Sequence, residues 1–281
     1  MPDDFAQPLS AADVSEYERN GLLLREKDIL TEGEIQNLLA VIPEVLDTRG
    51  PEVVLERDGE TVRSVYGVHR TFPAVRDLVV HPKLIGAVRQ ILGGDIYVHQ
   101  SKINIKAAFS GDQWEWHQDY INWLRADGIP RPSLINVAIF LDEATEFNGP
   151  LMFIPGSQRM GLLPGADRAG MPASYEDAPS WVDTLTADEK FKVDRDTIRT
   201  LAEKDGLFSA KGGAGSALFF HSNILHASLP NISPFDRKVL ILVYNLVDNA
   251  PGDVDTPRPD FLAERSPVAL VPRNGEEVTH E

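Results

Sequence analysis

The chain reads as a mainly β protein with flanking helices, folded as one domain over residues 1–281. Three observations carry that reading. Apolar residues keep helical spacing through roughly the first ninety positions. From Ile96 the texture changes to short segments rich in β-branched and aromatic residues. The length of 281 residues suits one large β-type core with appended helices, since such cores often run to about 200–250 residues.

The helical part spans about 10–93. Ser10 with Asp13, and Thr31 with Glu34, fit capping boxes, in which side chains at both ends satisfy free amides of the first turn. After Thr31, Ile35, Leu38, Leu39, Ile42, Val45 and Leu46 recur at helical intervals. A third helix is expected over 81–92, stopped by Gly93 and Gly94. The β core, about 96–250, holds segments at 96–106, 113–119, 134–141, 151–154, 216–220, 224–228 and 238–246. Asn148-Gly149 is a strong turn signal between two of them. An insertion over about 158–215, rich in Asp, Glu, Pro and Gly, interrupts the pattern. It is expected to pack on the barrel, with a helix near 194–203 and part of it serving as a lid. A tail from about Pro251 carries scattered prolines and is expected to be irregular. Repeats, low-complexity tracts and linkers are not evident.

Composition narrows the partners. There are 27 Lys and Arg against 43 Asp and Glu, a net charge of −16. That acidity argues against nucleic-acid or anionic-membrane binding, although a pocket can be locally basic. With no cysteine, disulfides, thiolate metal sites and a cysteine nucleophile are excluded. The segment from Met1 to Leu24 lacks the apolar run of a signal peptide. The apolar run from Val239 to Tyr244 is too short to span a bilayer. The expectation is a cytoplasmic protein with no membrane, no nucleic acid and no obligate protein partner.

His117-x-Asp119 carries the chemistry. Residues two apart on a strand point the same way. Two histidines and one carboxylate can occupy one face of an Fe(II) ion and leave the other open. A lone H-x-D triplet is weak evidence, but Trp114, Trp116, Tyr120 and Trp123 surround this one. A solvated His-Asp pair would leave those aromatics exposed without reason. The third ligand lies in a strand-turn-strand segment holding both His221 and His226. His221 falls at the end of the first strand or in the turn; His226 falls inside the second strand, able to face the interior. Arg237 follows His226 by 11 residues and opens a strand whose face carries Val239, Ile241, Val243 and Asn245. An arginine on such a face needs a buried anion, and a guanidinium matches a carboxylate through two parallel hydrogen bonds. Gln100, Lys102, Asn104 and Lys106 form a polar stripe opposite Tyr97, Ile103 and Ile105. That stripe is either an outer surface or the lining of a polar cavity. His69, His81, His99 and His280 have no partner pattern and read as ordinary polar residues.

The stretch from Gly111 to Asp119 with Tyr120, then Trp123, Asp127-Gly128 and Arg131-Pro132, leads into Asn148-Gly149-Pro150-Leu151 and Ile154-Pro155-Gly156-Ser157. Phe219-Phe220, His226-Ala227-Ser228 and Arg237 follow. Over roughly residues 16–271 this resembles the phytanoyl-CoA dioxygenase superfamily of Fe(II)/2-oxoglutarate oxygenases, in the branch that contains ectoine hydroxylase. Tyr97-Val98-His99-Gln100, Trp116 to Tyr120, Leu141 to Thr145, Tyr244-Asn245 and Asp248-Asn249-Ala250 are similar to bacterial L-proline trans-4-hydroxylases. The resemblance implies a double-stranded β-helix (jelly roll) with N-terminal helices packed on one sheet. It implies iron held by His117, Asp119 and His226, so that His226 rather than His221 is the ligand. It also implies 2-oxoglutarate bound by Arg237 and Ser228, with Asn104 and Trp114 at family contact positions. O₂ would be co-substrate and ascorbate a stimulant. Gln100, Trp123 and Phe220 would touch a small amino-acid substrate, with Tyr120 and Asn245 beside them. Lys102 and Ser222 would be near the pocket. Lys102, Arg70 or Arg125 could serve the substrate carboxylate. Halogenating relatives lack the carboxylate at the position of Asp119, so its presence favours hydroxylation. The implied reaction is L-proline to trans-4-hydroxy-L-proline, with L-pipecolic acid or ectoine as alternatives. A catalytically inactive jelly-roll binding module is the reading from another class.

Overall fold

The computed structural model describes residues 7–26, 29–186 and 188–272. Two helices begin at the capping boxes read from the sequence. In α1 (Ala11–Asn20) Ser10 accepts from the Asp13 amide, and in α2 (Glu32–Ala40) Thr31 accepts from that of Glu34. The periodic run after Thr31 is not one helix. It breaks at Val41, and α3 (Ile42–Leu46) restarts with Pro43 in its first turn, where a missing N–H costs nothing. After α4 (Val68–Thr71) and α5 (Pro73–Val79), α6 (Pro82–Leu92) ends on Gly93 in the left-handed conformation, as its glycine pair predicts.

The first ninety residues are not all helical. They also hold β1 (Leu22–Arg25), β2 (Val53–Leu55) and β3 (Val62–Tyr66). Apolar runs of three to five residues carry too few positions for periodicity to separate strand from helix. Pairing decides: β3 lies on β4 (Ile96–Lys106), while β1 lies on a strand some two hundred residues away.

Chain order continues through β5 (Trp114–His117), the short turn α7 (Tyr120–Asn122), β6 (Leu134–Phe140) and β7 (Leu151–Phe153). Next come β8 (Gly165–Asp167), β9 (Phe191–Val193), α8 (Arg195–Asp205) and β10 (Phe208–Ala210). The last strands are β11 (Ala217–His221), β12 (His226–Ser228) and β13 (Arg237–Leu246). A seven-stranded sheet runs β1-β11-β6-β13-β4-β3-β2, and a four-stranded sheet runs β10-β7-β12-β5, all antiparallel. This is the expected jelly roll, two facing sheets rather than a closed barrel. The expected insertion is shorter than 158–215 at its far end, because β10 belongs to the minor sheet. No helix among the described residues is long and apolar enough to cross a membrane.

Alternation along the central strands divides the interior in two. Ile135, Val137, Ile139, Leu240, Leu242 and Tyr244 face the helices and pack with Leu84, Ile85 and Val88 of α6. Burying each such aliphatic side chain contributes about 1.5–3 kcal/mol. Leu134, Ala138, Phe140, Val239, Ile241 and Val243 face the minor sheet and meet Phe153 and Ala210. The strand β4 has a register shift against β13: Val98 pairs with Tyr244, and Gln100 pairs with Val243. His99 is the extra residue. One added residue reverses the alternation. Tyr97 therefore joins the inner face with Gln100, not the face of Ile103 and Ile105.

Arg63 in β3 is 1% exposed and donates to Glu56, itself buried, at 2.8 Å. Its guanidinium also donates to the Gln113 carbonyl and lies 3.7 Å from the centre of the Trp114 ring. One buried ion pair thus ties the β2–β3 hairpin to the start of β5. Arg63→Met should leave Glu56 as an uncompensated buried charge and lower unfolding free energy by about 3–5 kcal/mol in urea titration. An Arg63→Met protein as stable as the parent would show that this pair holds nothing together.

Candidate active site

The strands β5 and β12 are hydrogen-bonded neighbours, and their register sets His117 directly opposite His226. The two rings lie 4.2 Å apart between centroids. His117 Nδ1 sits 2.6 Å from the Glu115 carbonyl, and His226 Nδ1 sits 3.0 Å from that of Ile224. A carbonyl only accepts, so Nδ1 of each ring carries a proton, and in the neutral form that binds a metal the lone pair is on Nε2, toward the interior. Asp119 lies beyond the end of β5, in the helical region at φ −62°, ψ −38°. The pleat therefore does not align it with His117, as the two-residue spacing suggested. The turn into α7 does. Asp119 Oδ1 is 3.6 Å from His117 Nε2, and Oδ2 is 3.7 Å from His226 Nε2. These separations exceed hydrogen-bond lengths. Three donor atoms within 4.8 Å of one another can share a metal ion. Asn136, the one polar residue of β6, donates to Asp119 Oδ2 at 3.0 Å and orients it.

The electrostatics match a cation site. Burial opposes charge on His117, but the carboxylates of Glu189 and Asp119 outweigh it and raise its pKa to about 9. Burial and the neighbouring His117 lower His226 to about 4. Burial alone would raise Asp119, yet His226, His117 and Lys102 hold it well below the usual carboxylate range.

Beside the triad, the cavity is lined by Arg237, Ser228, Asn104 and Trp114. Arg237 is 3% exposed and donates to the Gly149 carbonyl at 2.9 Å, but its Nε has no partner. The Ser228 hydroxyl is likewise buried and unpartnered. Buried polar atoms without partners are costly and mark a place where a ligand belongs. Burial lowers Arg237 to about 10, so it stays a cation at neutral pH. Lys106, its cross-strand partner, is lowered to about 6 by burial with Arg237 and Arg63 nearby. Asn104 accepts from Ser64 at 2.8 Å.

Gln100, Trp123 and Phe220 line the same cavity, with Lys102. Tyr120 and Asn245 do not. The Tyr120 hydroxyl donates to the Ile129 carbonyl, and Asn245 donates to Tyr97 and the Asn249 carbonyl. The turn after β5 carries Tyr120 past the cavity, whereas Asn245 keeps the inner face of β13 but sits at the opposite end of the strand from Arg237. Arg70 pairs with Glu264, Ser222 donates to the Pro132 carbonyl, and neither lines the cavity, nor does Arg125. His99 is no ordinary polar residue: it is 1% exposed and 3.0 Å from Asp127. His280 lies outside the described residues.

Three contributors escaped sequence reasoning. Arg258, in the irregular tail, lines the cavity and donates twice to Asp127. No periodicity marks an arginine in coil. Glu189, from the insertion, lines it too. Asn136 had a signal, as a lone polar residue in a seven-residue buried strand.

His221 accepts from the Asn223 amide at 2.9 Å and is absent from the cavity lining. His226→Ala should abolish stoichiometric Fe(II) binding in metal analysis, whereas His221→Ala should retain it. Loss of metal on His221→Ala alone would reverse the assignment.

The phytanoyl-CoA dioxygenase (PhyH) family profile matches residues 17–239. L-proline trans-4-hydroxylase of Streptomyces griseoviridis is 37% identical over 243 residues, 86% of this chain and 88% of that protein. Ectoine dioxygenase of Bordetella parapertussis is 36% identical over 276 residues, 95% of this chain and 86% of that protein. The crystal structure of EctD from S. alaskensis with 2-oxoglutarate and 5-hydroxyectoine superposes with a TM-score of 0.81 at 30% identity. It covers 98% of this chain and 90% of that one. With the triad facing a buried arginine between two antiparallel sheets, this chain belongs to the phytanoyl-CoA dioxygenase family.

Proposed function

We propose that this chain uses Fe(II), 2-oxoglutarate and O₂ to hydroxylate a small free cyclic amino acid, with L-proline oxidised at C4 in the trans sense. One observation carries the reading. His117, Asp119 and His226 converge at one end of a cavity, and Arg237 Nε with the Ser228 hydroxyl stands unpartnered and buried in its wall. That donor set fits an iron ion. The unpartnered pair fits the distal carboxylate of 2-oxoglutarate, as two donors with no other acceptor. When bound, iron and 2-oxoglutarate supply the oxidising power for an unactivated C–H bond.

The chain's own residues orient and exclude. Backbone carbonyls fix both histidine tautomers, and Asn136 fixes the carboxylate. Leu151, Ile241 and Phe220 form apolar walls that keep water from the reacting centre. Trp123 and Gln100 offer one wall and one polar anchor for a small ring. Arg258 and Lys102 offer positive charge for a substrate carboxylate. Arg258 is already held by Asp127, so it is pre-organised rather than free to swing.

The narrower choice of L-proline rests on the segments around Trp116–Tyr120 and Leu141–Thr145 and on the similarity to the Streptomyces griseoviridis enzyme. Ectoine is the second reading, favoured by the greater coverage of the ectoine dioxygenases.

Arg237→Ala should raise the KM for 2-oxoglutarate by the equivalent of about 2–5 kcal/mol, the usual loss when a buried charge partner is removed. Iron content should persist. An unchanged 2-oxoglutarate dependence would sink the anchor assignment. For substrate, the enzyme with Fe(II), ascorbate, 2-oxoglutarate and O₂ should oxidise L-proline, and chromatography against the four hydroxyproline isomers should return the trans-4 isomer. L-pipecolic acid should react more slowly, since one extra methylene costs about 1–3 kcal/mol in such a pocket. Oxidation of ectoine without oxidation of L-proline would replace the substrate and keep the chemistry. A cis or 3-hydroxy product would keep the substrate and change the C–H bond placed over iron.

A further inference from the structure

We infer that Glu189 is the specificity-determining residue of this cavity, its carboxylate receiving the cationic nitrogen of a zwitterionic cyclic amino acid. The inference rests on the proposed function and says which part of the chain selects the substrate.

Glu189 is 2% exposed and lines the cavity together with His117, Trp123 and Arg258. Its Oε1 is buried and has no hydrogen-bond partner. A buried carboxylate persists only with a partner, so an unanswered oxygen facing a cavity calls for a cation or a donor from the ligand. Burial raises the pKa of Glu189, while the field of His117 and hydrogen bonds from the Phe191 and Lys190 amides oppose that rise, and no cation of the protein pairs with Oε1. Lys190 and Arg168 are both held by Asp183, and Lys192 pairs with Glu115 at 2.6 Å. Arg258 is committed to Asp127, and Arg237 and Lys102 share the lining without pairing with Glu189. Among the described residues none forms an ion pair with Glu189. The other carboxylate in the lining, Asp119, is turned toward His117, His226 and Asn136.

The cavity therefore offers one uncommitted carboxylate oxygen on one wall and the Arg258 guanidinium on another. That is the charge pattern of a zwitterion, with a cationic nitrogen for Glu189 and a carboxylate for Arg258. L-proline and L-pipecolic acid carry a secondary ammonium, and ectoine carries an amidinium. Glu189 precedes β9, which pairs with β8 in the small sheet of the insertion. The jelly roll supplies the triad, and the insertion supplies the discriminating charge.

The test compares L-proline with (S)-tetrahydrofuran-2-carboxylate, which replaces the ring ammonium by an oxygen at nearly the same size. Parent and Glu189→Gln enzymes are loaded with Fe(II) and 2-oxoglutarate, and calorimetry without O₂ reads binding alongside turnover. In Glu189→Gln the Kd and KM for L-proline should rise about 30-fold or more. Selectivity for L-proline over the tetrahydrofuran acid should collapse by the same factor. Iron content, thermal midpoint and the KM for 2-oxoglutarate should hold. Glu189→Asp, which keeps the charge, should recover part of the selectivity. An unchanged L-proline affinity in Glu189→Gln, or an equal loss for both acids, overturns the inference and leaves the proposed function standing. Should the parent oxidise ectoine instead, the same loss is expected for ectoine. A parent enzyme that oxidises no cyclic amino acid removes the proposed function, and this inference with it.

Discussion

The register that sets His117 opposite His226 is the constraint on which the rest depends. Two short strands, β5 and β12, hold the rings 4.2 Å apart, and each ring's Nδ1 is tied to a carbonyl two residues before it. A slip of one residue would turn a ring to the far side of the sheet. The neighbouring strand β7 pairs His226 with Phe153, whose ring stacks on it at 5.7 Å between centroids. The register is thus held from both sides of β12.

The major sheet pays for a polar cavity with an apolar back. Its outer face, buttressed by α5 and α6, is apolar along β6 and β13 and is interrupted in β4 by Ser101, whose hydroxyl accepts from the His69 amide. Its inner face can then carry Gln100, Lys102, Asn104, Lys106 and Asn136. Buried cations crowd one end, where Arg63, Lys106 and Arg237 lie together, and the energetics differ among them. Arg63 has Glu56. Lys106 has the Leu229 and Asp112 carbonyls and is pushed toward neutrality. Arg237 remains charged with a donor unanswered. In a chain of net charge −16, this is a local inversion of sign, and it suits an anionic co-substrate.

The bulge at His99 has a second consequence. By turning its ring inward it forms the chain His99–Asp127–Arg258, all three residues buried, with the His99 ring edge-on to Trp123 at 6.1 Å. Two lining residues, Trp123 and Arg258, are therefore positioned by one irregularity in one strand. Bulges at such positions re-aim side chains rather than mark defects.

Much of this was legible in the residues themselves. Capping boxes, the glycine stop after α6, the strand β13 and the Asn148-Gly149 turn act locally, through neighbours a few positions away, and a linear chain states them directly. His117, Asp119, His226 and Arg237 were legible because their chemistry is rare in that order, although Asp119 reaches the site by a helical turn and not by strand pleat. Tertiary structure alone decided the rest. The strands β1 and β3 exist because of partners farther along the chain, and β2 because β3 is there to pair with it, not because of their own short runs. Tyr120 left the expected site because a turn redirects it, and Asn245 because it lies on the inner face at the far end of β13 from Arg237. Arg258 and Glu189 joined it from coil and insertion, where no periodicity announces direction and only packing brings charge to charge.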